Sequence, residues 1–164
     1  MLARRAYSVA ELRQALEKKF PGSTGVSDAL HRLRQLRYLD DKKFAEQHAA
    51  SLARNRAFGR FRIRRELKAK LVDYRHIEPA IRQTFEEIDE RDLLARTLEK
   101  KLRAFRPPIT PGKLHSLCQS LIRHGFPTDD IMKAMRARPE LRPVAEQVDP
   151  TELATDETEK ADGE

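Results

Sequence analysis

Apolar residues recur every three to four positions along most of this chain, with charged residues between them, which predicts amphipathic helices and not strands. The first run, Leu12, Leu16 and Phe20, starts behind Ser8. Ser8 and Glu11 have the Ser-x-x-Glu spacing of a capping box, and Pro21-Gly22 ends the helix. A second run carries Val26, Leu30 and Leu33. Asp40 is placed to cap a third, with Phe44, His48 and Leu52. The pattern then repeats: Ile63, Leu67 and Leu71 stand 51 residues after Leu12, Leu16 and Phe20, and Ile77 and Ile81 stand 51 after Val26 and Leu30. A helix from about Asp89, with Leu93, Leu94, Leu98 and Leu102, completes the second copy before Pro107-Pro108 interrupts the chain. A third copy starts at Thr110-Pro111 with Leu114, Leu117, Leu121 and Ile122, turns at Gly125-Phe126-Pro127, and continues with Ile131 and Met135 behind Thr128 or Asp129 as cap. Pro139 and Pro143 follow, so no clear third helix is expected in it.

Helical units of this length bury little apolar surface singly and gain stability by stacking. The expected fold is therefore all-α, an elongated array of tandem three-helix repeats. Repeat 1 spans residues 1–54, repeat 2 spans 55–106, and a partial repeat 3 spans 107–143. Residues 144–164, acidic and poor in aromatics, are expected to be a disordered tail.

Charge sharpens this picture. The net charge is +7, but residues 149–164 hold seven acids against one base, a charge of −6, which leaves +13 on residues 1–148. A body this basic points to a polyanionic partner or an acidic protein surface; a merely solvated surface is the plainer alternative. The single cysteine, Cys118, excludes an internal disulfide and fits a reducing compartment. There is no signal-peptide core after Arg4 and Arg5 and no long apolar run. A cytoplasmic protein without membrane attachment is expected.

Candidate catalytic chemistry is missing. Gly112-Lys113 lacks the upstream glycine with which a P-loop cradles phosphate, and no nucleophile elbow is present. His115, Cys118 and His124 are the one cluster of ligand-like residue types, but a fourth zinc ligand is not evident. Cys118 falls on the apolar stripe and reads as a core residue. No metal, cofactor or catalytic residue is expected.

The informative stretch is RNRAFGRFRIRRELKAK, residues 54–70. It sets Arg54, Arg56, Arg60, Arg62, Arg64, Arg65, Lys68 and Lys70 against one acid, Glu66. With Ile63, Leu67 and Leu71 turned inward, helical spacing puts Arg62, Arg65 and Lys68 outward. Such a row suits forked contacts to phosphate or carboxylate. Phe61 lies near the same face and is expected to tuck against a neighbouring repeat.

Three segments carry a resemblance: LARRAYSVAELRQAL (residues 2–16), YLDDKKFAEQ (38–47) and the basic stretch at 54–70. They resemble RecX, the bacterial regulator of the RecA recombinase. The matching features are Tyr38-Leu39-Asp40-Asp41 at the start of the third helix, Phe58-Gly59, and Ile63-Arg64-Arg65-Glu66-Leu67. The resemblance covers about residues 1–138. The chain starts almost at the first repeat, so the usual leading segment of the family is expected to be short or missing, and the acidic tail departs from the family pattern. The resemblance implies tandem three-helix repeats and a non-enzymatic protein. Such a protein binds the RecA filament on single-stranded DNA and limits its growth, ATP hydrolysis, strand exchange and coprotease activity. The outcome is negative regulation of recombination and the SOS response, with direct DNA contact included and a monomer as the acting species. The alternative is a general helical nucleic-acid-binding protein. The absence of Asn, Gln, Ser or Thr from the outward row argues against sequence-specific readout.

Overall fold

A computed structural model of the chain describes residues 6–149 together with Thr151 and Leu153. Among them the only regular elements are helices: α1 (Val9–Lys19), α2 (Gly25–Gln35), α3 (Asp41–Arg56), α4 (Arg60–Ala69), α5 (Tyr74–Glu87), α6 (Glu90–Leu102), α7 (Pro111–Arg123), α8 (Thr128–Arg136) and α9 (Arg142–Ala145). The chain divides into two units. One holds α1, α2, α3, the part of α4 from Ile63 onward, and α5. The other holds residues 57–62 and the described residues from Ile88 onward.

In the first unit, α1 and α2 close a small core of Val9, Leu12, Val26, Leu30 and Leu39, with Tyr7, Leu16 and Leu33 at its edge. The expected caps hold. Ser8 Oγ accepts from the Glu11 N–H at 3.0 Å, and Asp40 Oδ1 accepts from the Lys43 N–H at 3.0 Å. Asp41 reaches across to accept from the Val9 N–H at 2.8 Å, so one Asp-Asp pair starts two helices.

Helix α3 packs on α5. Its inner face is a stripe of Ala45, Ala49 and Ala53, all fully buried, flanked by Phe44 and Leu52. Small side chains at four-residue spacing let the two axes approach closely. His48, expected on that face, is only half-buried. The repeat boundary expected at 54/55 separates α3 from α5, which the structure joins in one unit.

Leu71, expected on the inward stripe, is instead 39% exposed, because α4 ends at Ala69 and Leu71 takes a left-handed backbone with φ 57°. Val72 becomes the buried residue; its N–H bonds to the Leu67 carbonyl at 3.1 Å, while the Leu71 N–H bonds to Lys68 at 2.8 Å. This is a Schellman cap formed without glycine. Phe20, at the end of the first four-residue series, is likewise exposed. Both residues lie past the last residue of their helix: α1 ends at Lys19, and Phe20 has left the helical conformation with φ −131°.

The second unit packs α6, α7, α8 and α9 around Leu94, Leu98, Leu114, Leu117, Leu121, Ile131 and Met135. Thr110 caps α7 with Pro111 in its first turn, as expected. Helix α8 begins after Pro127 and has no side-chain cap from Thr128 or Asp129. The third repeat extends further than expected. Helix α9 occupies Arg142–Ala145, with Pro143 in its first turn where proline is tolerated, and Leu141, Ala145, Val148 and Leu153 are buried. The tail expected from residue 144 thus starts inside packed structure. Apart from Thr151 and Leu153, its part beyond Asp149 lies outside the described residues.

Candidate functional site

The basic segment runs from the last turn of α3 through α4. Four of its cations hold acids from distant positions. Arg54 Nη2 lies 2.7 Å from Glu87 Oε2. Arg64 forks onto Glu78, with Nε to Oε1 at 2.6 Å and Nη2 to Oε2 at 2.9 Å. Lys70 Nζ sits 3.0 Å from Glu11 Oε1, and its carbonyl accepts the Ser8 hydroxyl. Arg60 donates from Nε to Glu90 Oε2 at 2.6 Å while Glu90 Oε1 accepts the Arg60 N–H at 2.8 Å. Glu90 is only 8% exposed, so its charge depends on this fork. The Arg64 hydrogen bond holds the Glu78 carboxyl below its usual range, and the same bond raises the Arg64 guanidinium.

Arg56, Arg62, Arg65 and Lys68 differ from one another in exposure. Arg62 is half-buried, its guanidinium 5.3 Å from the Phe58 ring centroid, and so is less outward than helical spacing predicts. Arg56, Arg65 and Lys68 are exposed, all in the first unit. Phe61, expected to be tucked away, keeps 37% of its surface in solvent.

The start of α4 is held by an arrangement that helical periodicity does not reveal. The Gly59 N–H donates to the His124 carbonyl at 2.9 Å, and the Phe61 N–H to the Gly125 carbonyl at 3.1 Å. The amino end of α4 thus docks on the carboxyl end of α7, with opposite dipole ends facing, and orphan N–H groups meet orphan carbonyls. Two glycines make this possible. A Cβ on Gly59 would lie 2.4 Å from the Gly125 carbonyl oxygen; one on Gly125, which has φ 92°, would lie 2.2 Å from the Arg62 nitrogen. The sequence signal for it was the Phe58-Gly59 pair, which by itself does not name Gly125 or Glu90 as partners.

Among the described residues no group of His, Cys, Asp or Glu is arranged to hold a metal ion. Cys118 is fully buried, 3.4 Å from the Met135 sulfur, and burial pushes its thiol up to about 11. This agrees with its reading as a core residue. No helix of the described residues is long and apolar enough to cross a membrane.

Comparison with known proteins places these features. The family model for RecX, second three-helix domain, matches residues 40–81, which span α3, α4 and the first half of α5. The chain is 34% identical over 137 residues to the regulatory protein RecX of Chlorobaculum tepidum, covering 83% of this chain and 82% of that one. The chain belongs to the RecX family. It is also 30% identical over 131 residues to the regulatory protein RecX of Haemophilus influenzae strain KW20, covering 79% and 84%. The crystal structure of RecX from Lactobacillus salivarius has the same fold, with a TM-score of 0.67 at 19% identity over 83% of this chain and 88% of that one. The RecX match starts its three-helix domain one helix earlier than the repeat expected at residue 55, in keeping with the packing of α3 on α5.

Proposed function

We propose that this protein binds the RecA filament on single-stranded DNA and limits its growth and its ATPase, strand-exchange and coprotease activities. It thereby acts as a negative regulator of recombination and the SOS response. It does so by binding and not by catalysis, as a cytoplasmic monomer without cofactor. Family membership supports the regulatory role. The observation that carries the contact surface is the exposure of Arg56, Arg65 and Lys68 around α4, beside Arg54, Arg60, Arg64 and Lys70, whose charges hold acids of the same fold. Exposed cations contribute weakly one at a time, about 0–1 kcal/mol each. A filament presents the same surface repeatedly, so weak contacts gain from multivalency. A ligand that prefers one filament state shifts the population toward it, which opposes the cycling that ATP turnover requires.

The test is inhibition of DNA-dependent ATP hydrolysis by RecA, titrated with the parent protein and with Arg56→Ala/Arg65→Ala/Lys68→Ala. The triple variant is expected to weaken binding by about 1–3 kcal/mol, to flatten the salt dependence and to keep its melting temperature. Unchanged inhibition with an unchanged melt refutes the assignment of this face. Equal affinity for naked and RecA-coated single strands would favour the general nucleic-acid binder.

A further inference from the structure

The Tyr38-Leu39-Asp40-Asp41 junction is almost fully explained by the fold. Leu39 is in the α1–α2 core, Asp40 caps α3 and Asp41 caps α1. Tyr38 is the exception, and its environment is anomalous by an internal standard. The helices α2, α4 and α7 end in the same backbone motif, with a left-handed residue at Arg37, Leu71 and Gly125. In each, the next residue bonds its N–H to a carbonyl five positions back: Tyr38 to Leu33, Val72 to Leu67, Phe126 to Leu121. That position ordinarily packs its side chain on the end of the helix. Val72 and Phe126 do so, at 6% and 2% exposed; Tyr38 is 70% exposed. The same backbone thus presents one aromatic ring to solvent where its counterparts are buried.

The ring does not stand alone. Tyr38 lines a hollow of about 180 Å³ with Tyr7, Phe44, Arg37, Lys43, Asp40 and Gln47. Arg37 and Lys43 are exposed cations, whereas the one acid, Asp40, already accepts the Lys43 N–H. An open aromatic face, two cations at its border and an amide able to donate and accept match the chemistry of one nucleotide: a base to stack, a phosphate to neutralise and a base edge to contact.

We propose that this hollow is a single-stranded nucleic-acid site, with a base stacked on Tyr38 and the backbone phosphate held by Arg37 and Lys43. The strand must be unpaired, because in a duplex each base face is covered by its neighbours. The site lies outside the basic segment of α3 and α4, and deepens the filament reading by assigning residues to the direct DNA contact expected from the sequence.

The test uses the full chain and a fluorescent oligothymidylate, without RecA, at several salt concentrations, beside a duplex of equal length. Tyr38→Ala is expected to weaken single-strand binding roughly five- to hundredfold with no loss of melting temperature. Tyr38→Phe, which keeps the ring, is expected to bind like the parent. Lys43→Ala is expected to lower the slope of log affinity against log salt by about one. Three results would overturn the proposal: parent-like binding by Tyr38→Ala, an equal loss in Tyr38→Phe and Tyr38→Ala, or no binding of the oligonucleotide by the parent. So would a Tyr38→Ala variant that binds the naked strand normally but loses RecA-coated DNA, since the hollow would then receive a protein. Tyr38-dependent binding of the naked strand by a protein that ignores RecA-coated DNA supports the site while refuting the filament reading.

Discussion

Replacing Gly59 by alanine isolates the docking of α4 on α7. Gly59 has an ordinary backbone conformation, so alanine meets no conformational penalty there; what it lacks is space. The new Cβ would lie 2.4 Å from the Gly125 oxygen, 2.6 Å from the Gly125 carbonyl carbon and 2.9 Å from the Phe126 nitrogen. All three are backbone atoms that cannot rotate away. Relief requires the two helix ends to separate by nearly 1 Å, which breaks or stretches the bonds from Gly59 to His124 and from Phe61 to Gly125. Overpacking costs about 1–3 kcal/mol, and each lost bond about 0.5–1.5 kcal/mol. Alanine returns about 0.4–1 kcal/mol through the unfolded chain. The expected net loss is about 2–4 kcal/mol. Gly112→Ala is the control: it lies in the first turn of α7, a Cβ there meets nothing within 4 Å, and a small gain is expected. Urea unfolding followed at 222 nm, with hydrogen exchange at residues 57–62 and 121–126, reads both. If Gly59→Ala is as stable as the parent and those amides stay protected, the close approach of the two backbones is refuted.

Three further outcomes are expected. Leu67→Ala, at a fully buried site, should cost about 2–5 kcal/mol, whereas Leu71→Ala should cost under about 1 kcal/mol; equal losses in thermal or urea unfolding would restore Leu71 to the core. Burial lowers the pKa of both His48 and His124 below 6.5. The unfolded chain therefore binds protons first, and their contribution is complete above about pH 6.5 and lost as pH falls through the lowered folded values. The double change to Gln should flatten that part of the stability profile, and an unchanged slope refutes it. Removing residues 154–164, which hold five acids and one lysine, should raise affinity for nucleic acid at low salt if that segment competes for the basic surface. Cutting after Leu153 spares a buried side chain, and identical affinity of the two forms at low salt would leave the segment a solubilising one.

Helix positions were largely legible because apolar spacing, caps and prolines agree along the chain. Ser8, Asp40 and Thr110 sit where short-range capping rules put them. The grouping of helices was harder to read. A 51-residue recurrence gives the period of the repeat but not its phase, and α3 goes with α5 through Ala45, Ala49 and Ala53, which a search for large apolar residues passes over. The failures at Phe20 and Leu71 share a cause: apolar spacing does not mark where a helix stops, and both residues lie beyond the last turn, α1 ending at Lys19 and α4 at Ala69.

The basic segment shows why charge density is an imperfect guide to a binding surface. Local sequence displays eight cations and a single acid, because the acids that answer them, Glu11, Glu78, Glu87 and Glu90, come from other helices. Folding brings those carboxylates to Arg54, Arg60, Arg64 and Lys70, so these members of the apparent patch serve the fold. Removing Arg60 would leave Glu90, the most buried of the four acids, without the guanidinium that compensates its charge. A charge-to-alanine scan that treated all eight positions alike would therefore mix two effects, loss of binding and loss of structure. Separating them requires that each variant be judged by its melt as well as its affinity. On that criterion Arg56, Arg65 and Lys68 are where a binding effect without a folding effect is expected. Tyr38 is the corresponding case among the aromatics, since its counterparts Val72 and Phe126 are already committed to the interior.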